Sequence, residues 1–162
     1  MVLGGFESGT DTMLSSVTAI NVRQLTAEEY RPLKHARAFH SCQILQDGRI
    51  LVSGGYSSQG NPTGSQAPDE LYNLTLSSES QVLTSSLFRY QHHLVLLGTT
   101  VLALGGVDKT GSELTSVKQF HPATNTWSEH PRDLLSSSTS GLAVTAFPRS
   151  AVNCVQECRS AE

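Results

Sequence analysis

Paired glycines recur in this chain at a fixed spacing, and that spacing limits the possible folds more than any other feature. They stand at Gly4-Gly5, Gly54-Gly55 and Gly105-Gly106, 50 and 51 residues apart. Each pair follows a short apolar run: Met1-Val2-Leu3, Ile50-Leu51-Val52-Ser53 and Val101-Leu102-Ala103-Leu104. A period of this size marks a repeat architecture, in which each copy is one supersecondary unit stacked on the next. More of the unit recurs. Arg37-Ala38-Phe39-His40 matches Arg89-Tyr90-Gln91-His92, and each opens a strand pattern. A turn then leads into the pre-glycine run, through Gln46-Asp47-Gly48-Arg49 in one copy and Gly98-Thr99-Thr100 in the next. Asp-Gly between apolar runs is a hairpin signal because glycine accepts positive φ. Beyond the glycines, Leu14-Ser15-Ser16-Val17 matches Leu114-Thr115-Ser116-Val117. Each is expected to begin a third strand that ends near Ile20 or Phe120.

Composition agrees with short strands and small polar turns. The 162 residues include 22 Ser, 15 Thr and 13 Gly, with only 15% charged residues. Ser and Gly are poor helix interiors. The formal net charge of −3 provides no basic footprint for nucleic acid. No apolar run is long enough to cross a bilayer as a helix. Met1 leads directly into Val2-Leu3-Gly4-Gly5, with no leader pattern.

The third copy continues as Phe120-His121-Pro122-Ala123-Thr124-Asn125-Thr126-Trp127. An aromatic residue, a turn with Pro, Thr and Asn, and then a Trp, all downstream of a double glycine, resemble the kelch repeat. The resemblance extends over roughly residues 1 to 147. The second copy has Leu71, Tyr72 and Leu74 in the aromatic region but no Trp, and the first has Ile20 and no Trp. The resemblance implies an all-β fold: a kelch-type β-propeller, here a partial arc of about three four-stranded blades. Residues 1–34 are expected to supply strands two to four of a first blade. Residues 35–87 make a second blade with a long loop at 56–69, and residues 88–135 a third. Residues 136–148 make the first strand of a further or closing blade, and 149–162 an irregular tail. The competing fold is a β-sandwich with chance glycine pairs, which has no reason to repeat every 50 residues.

In this reading Gly4, Gly5, Gly54, Gly55, Gly105 and Gly106, together with Arg37, His40, Arg89, His92, Phe120 and Trp127, are structural. The glycines are needed either because a neighbouring backbone passes too close for a Cβ or because φ is positive. The Phe120 and Trp127 rings are expected to fill the space between adjacent sheets. Propellers need roughly four to eight blades to close. The chain is therefore expected to be part of a longer propeller, or else to close as a homo-oligomer through exposed blade edges.

No chemistry is assigned. The sequence contains no Gly-x-Ser-x-Gly and no phosphate-binding Gly-x-x-x-x-Gly-Lys-Ser/Thr. His40 and His92 occupy equivalent repeat positions, which favours packing or hydrogen bonding over catalysis. Cys42 reads as a small buried apolar residue. Cys154 and Cys158 could pair with each other, pair elsewhere or stay free, and no His lies near them to suggest zinc. The expectation is a module with no catalytic residue, cofactor or metal that binds a protein partner through loops on one face. The candidate loops are Phe6 to Met13, Tyr56 to Pro68 and Val107 to Glu113. The middle loop is longest and, with the residue after it, offers Tyr56, Gln59, Asn61, Gln66 and Asp69. Its other reading is a flexible insertion without a partner. The alternative function is part of a kelch-like propeller enzyme, related to galactose oxidase or sugar epimerases, with its site mostly in other blades. Asn73-Leu74-Thr75 is a glycosylation sequon that matters only if the chain is secreted. High Ser/Thr content and the terminal cysteines tilt the compartment toward the extracellular side.

Overall fold

The computed structural model describes residues 1–10, 12–57, 65–74, 79–131, 135–141 and 144. Gln59, Asn61, Thr75, Cys154, Cys158 and residues 142, 143 and 145–148 of the strand expected at 136–148 lie outside the described residues. Everything described is strand, turn or irregular chain, with no helix.

The first sheet runs β1 (Val2–Glu7), β2 (Thr12–Asn21) and β3 (Thr26–Tyr30), in the order β1-β2-β3. The second copy begins with β4 (Ser41–Ile44) and β5 (Ile50–Ser53). A two-stranded ribbon, β6 (Tyr56–Ser57) with β7 (Ser65–Gln66), then closes the base of the long loop. The sheet resumes with β8 (Glu70–Tyr72) and β9 (Gln81–Val82), in the order β4-β5-β8-β9. The third sheet is β10 (His93–Leu97), β11 (Thr100–Leu104), β12 (Val117–His121) and β13 (Thr126–Glu129), again in simple order. All pairings are antiparallel. Ile50 faces Tyr72 in the second sheet just as Val101 faces Phe120 in the third, so the two copies share one register.

Two strand starts differ from the sequence expectation. β12 begins at Val117, so Leu114 to Ser116 precede it, whereas β2 begins at Thr12, ahead of Leu14. The cause is the connection before each. In the first blade a tight hairpin pairs Glu7 directly with Thr12. In the third, the Asp108 carboxylate accepts the N–H groups of Thr110 and Ser112 and folds a separate turn, so the ladder restarts later. Phe6 to Met13 is accordingly a hairpin end and not an open loop.

The core lies between the sheets. β5 is buried on both faces and β11 nearly so, which requires the continuous apolar runs seen in the sequence. Ile50, Val52 and Tyr72 face the first blade and pack with Val17 and Leu33. Leu45, Leu51 and Leu71 face the third blade and pack with Val101, Ala103 and Phe120. Phe120 is fully buried, Trp127 packs at its side, and the ring centroids lie 5.1 Å apart. The far face of the third blade, with Leu102, Leu104 and Val117, receives Leu135 and Val144. A fully buried side chain of this kind contributes about 1.5–3 kcal/mol, so stability depends on stacking one sheet against the next.

Candidate functional site

All three glycine pairs sit where one blade meets the next, and all six glycines have positive φ. Gly4 and Gly54, each the first of its pair, face the following blade. A Cβ on Gly4 would lie 2.8 Å from the Arg37 carbonyl oxygen, and one on Gly54 would overlap the Arg89 carbonyl oxygen. Gly55 and Gly106 face their own blade, while a Cβ on Gly5 would meet nothing within 4 Å; one on Gly55 would lie 2.8 Å from Ala38 O and 2.8 Å from the His40 Cβ. A Cβ on Gly106 would lie 2.7 Å from the His92 Cβ. Close approach and positive φ, the two reasons open at the sequence level, therefore both operate at Gly4, Gly54, Gly55 and Gly106, and positive φ alone at Gly5.

The same backbone bond joins each junction. Gly5 N donates to Arg37 O at 2.9 Å, Gly55 N to Arg89 O at 2.9 Å, and Gly106 N to Thr139 O at 2.8 Å. A second series follows it: Gln91 N donates to Phe39 O and Gly141 N to Gln91 O. Thr139 and Gly141 thus hold the backbone positions of Arg37 and Phe39, although the Arg-x-x-His side chains are absent there. The three segments that leave the glycine pairs therefore each start from an equivalent junction bond.

Arg37 and Arg89 are buried and play related parts. Arg37 Nη1 donates to Gly54 O at 2.8 Å, and Arg89 Nη1 donates to Gly105 O at 2.9 Å. Each guanidinium caps the glycine carbonyl of its own blade. Arg37 also forms an ion pair with Glu70, which is itself fully buried. Burial, the strongest single influence on Glu70, pushes its pKa up. The Ser80 hydroxyl, the Arg37 guanidinium and the N–H of Lys34 outweigh burial and hold the carboxyl below its ordinary value. Arg89 instead bonds Ser116, through its carbonyl at 3.1 Å and its hydroxyl at 3.3 Å. Burial lowers the Arg89 pKa to about 10, partly opposed by Glu129 and Asp69.

The histidines of the repeat lie between consecutive glycine pairs: His40 by Gly4 and Gly55, His92 by Gly54 and Gly106. Burial, then the charge of Arg37, lowers His40 to about 4. Burial, then Arg89, lowers His92 to about 3. Both are neutral wedges at physiological pH. Cys42 packs on the junction between the first two blades, and burial raises its thiol to about 12. It is unreactive there.

The candidate binding residues separate. Tyr56 is half-buried, and its ring meets Tyr90 edge-on at 5.7 Å. Gln66 is half-buried in the ribbon that pairs it with Tyr56. Asp69 is a different kind of residue from the loop contact expected of it. It is fully buried, and its carboxylate accepts bonds from Gly54 N at 2.7 Å, Ser53 Oγ at 3.1 Å, Leu87 N at 3.1 Å and Trp127 Nε1 at 2.6 Å. Those four donors need a fixed acceptor between the second and third blades, so the side chain turns inward. Asn73 lies just beyond β8 and is half-buried. Sequence reasoning overlooked Glu70. A lone acid at the start of a short strand has no local signature of burial, because its partner Arg37 lies 33 residues away. Among the described residues no three His, Cys, Asp or Glu side chains converge as a metal site would require.

No curated protein matches the chain. Residues 89–131 match the family model described as Kelch motif. The match starts at Arg89, whose guanidinium caps Gly105, and runs past Trp127, whose indole reaches back to Asp69. The matched motif spans the third blade, and the all-β stack of antiparallel sheets is consistent with kelch-type β-propeller blades.

Proposed function

We propose that the chain is a non-catalytic interaction module that binds a partner protein with the face where the post-glycine segments emerge. The observation that carries this reading is the shared junction bond, which fixes three chemically different segments side by side on a rigid stack. Rigid scaffolds with variable connecting segments are where binding residues concentrate. The buried histidines, arginines and acids are engaged in holding blades together, so the variable surface is left to recognition.

The long middle loop provides the test. Its base is part of the fold, because Ser57 pairs with Ser65 and Ala67 is fully buried. Only 58–64 should therefore be exchanged, for an Asn-Gly turn that joins Ser57 to Ser65 as a two-residue hairpin. The exchanged protein is expected to keep its melting temperature within about 4–8 °C, the shift that roughly 1 kcal/mol gives in a small domain. Partner proteins captured by the native chain should be lost from it. Identical capture by both forms would refute binding through this loop.

A further inference from the structure

Phe39 and Phe88 occupy backbone positions that do not suit phenylalanine. Both have positive φ, 59° and 50°, and their side chains are half exposed, at 52% and 51%. Left-handed backbone costs an ordinary residue about 1–2 kcal/mol, and glycine far less. At the Phe39 position the repeat itself imposes this conformation. Gln91 and Gly141 adopt it too, with φ of 55° and 62°, and the carbonyls of Phe39 and Gln91 accept the next blade's N–H. The later copy fills the position with glycine, the residue that suits it. A phenylalanine there strains the backbone and also leaves apolar surface in water, so it makes the isolated fold less stable on both counts. Strained residues of this kind cluster at ligand clamps and similar sites.

Both residues adjoin one aromatic pair through the chain and its backbone bonds. Phe39 adjoins Ala38, which exchanges backbone bonds with Tyr56 at 3.0 and 2.8 Å. Tyr56 meets the Tyr90 ring, and Tyr90 is two residues beyond Phe88. Phe6, 48% exposed, extends the series from the first blade, because the Gly5 that precedes it bonds Arg37 next to Ala38. The segments that leave the glycine pairs are mostly acidic in their described parts: exposed Glu7 and Glu113 and half-buried Asp108 stand against a single base, Lys109. Arg37, Arg89, His40 and His92 add little positive field at the surface, since Glu70 offsets Arg37, Asp69 and Glu129 act against Arg89, and the histidines are neutral.

We propose that Phe39, Tyr56, Tyr90 and Phe88 form the anchor of a docking surface for a cationic segment of a partner protein that carries aliphatic side chains between its Lys or Arg residues. Arg and Lys suit this surface twice over. Their charged heads are attracted to aromatic faces and to the acidic rim, and their carbon stems cover apolar surface. The inference rests on the reading that this face is the binding face, and it names the chemistry of the ligand.

A display library of random twelve-residue peptides, selected on the full 162-residue chain, tests both. Enriched peptides should carry net positive charge with Leu, Ile or Val. Their affinity should fall at least tenfold in F39G and in F88G, which keep the backbone angle open and should melt no lower than the native chain. E7Q with E113Q should weaken binding several-fold and reduce its salt dependence. Enrichment of acidic or uncharged peptides, or of peptides indifferent to F39G and F88G, would overturn the inference. If such peptides still lose binding when 58–64 is exchanged, the face remains the binding face and only the anchor is wrong. If no peptide is enriched, or if none responds to any change on this face, both readings fail.

Discussion

The junction between the first and second blades and the junction between the second and third use the same motif but are held by different forces. The first is ionic: Arg37 and Glu70 pair inside it, and Lys34 N–H and Ser80 complete the carboxylate's partners. The second is aromatic: Phe120 and Trp127 fill it, and its one carboxylate, Asp69, takes only neutral donors. The first is also looser. His40 is only partly buried where His92 is 5% exposed, and the Gly4 site leaves more room than the Gly54 site. The comparison separates what the repeat requires from what it tolerates. The glycine pair, the arginine on its carbonyl and the neutral imidazole recur. The neutralisation of charge and the filling of space are free to vary.

The tightness of the junctions is tested most severely at their first glycines. Gly4→Ala combines a left-handed penalty with moderate overpacking and should cost about 2–4 kcal/mol. Gly54→Ala places its Cβ on the Arg89 carbonyl, which is backbone and cannot swing away, and should exceed about 4 kcal/mol and leave the chain largely unfolded. Urea midpoints for the pair would measure the gap, and equal losses would break the comparison.

The ionic character of the first junction is tested at the arginines. Arg37→Met leaves Glu70 buried without its cation and should cost about 3–5 kcal/mol. Arg89→Met gives up bonds to neutral acceptors and should cost about 1–3 kcal/mol. Adding Glu70→Gln to Arg37→Met should recover part of the loss, as a double-mutant cycle would show. If Arg89→Met proved the more damaging, the distinction between ionic and aromatic junctions would fall.

The smallest effect is graded with pH. His92 is depressed to about 3 and His40 to about 4, from 6.5 in the unfolded chain. Between those limits the unfolded state binds protons that the folded state refuses. Their contribution is therefore complete above pH 6.5 and is lost as pH falls. A fully buried neutral imidazole removes about 1.4 kcal/mol per pH unit across its window. Glu70, held low, adds its own loss only as pH drops below 4.5 toward its folded value. Between pH 6.5 and 5 the two replacements should flatten the stability slope about equally, whereas below the His40 value of about 4 only His92 still refuses its proton, so there His92→Leu should flatten the slope more than His40→Leu. A steeper contribution from His40 would mean that the first junction is the more closed of the two.

Much of this was legible in the residues. Three apolar runs, each closed by Gly-Gly, predicted the stacked strands and their spacing. Arg-x-x-His marked the start of each full blade, and Phe120 with Trp127 marked the filled junction. Asp69 was misplaced for a definite reason. It follows a Gly/Ser/Pro-rich stretch and looks like part of it, but its four donors come from Ser53, Gly54, Leu87 and Trp127, up to 58 residues distant. No local pattern records such a set.

The sequence by itself determined the period, the all-β character and the kelch resemblance, because alternation, turn chemistry and glycine's freedom are properties of a few neighbouring residues. Only the tertiary structure decided which acids turn inward, which junction is ionic and which aromatic, and that Phe39 occupies a backbone position suited to glycine. Those outcomes depend on contacts between blades, where residues far apart in the chain share one desolvated space and each sets the partners available to the other.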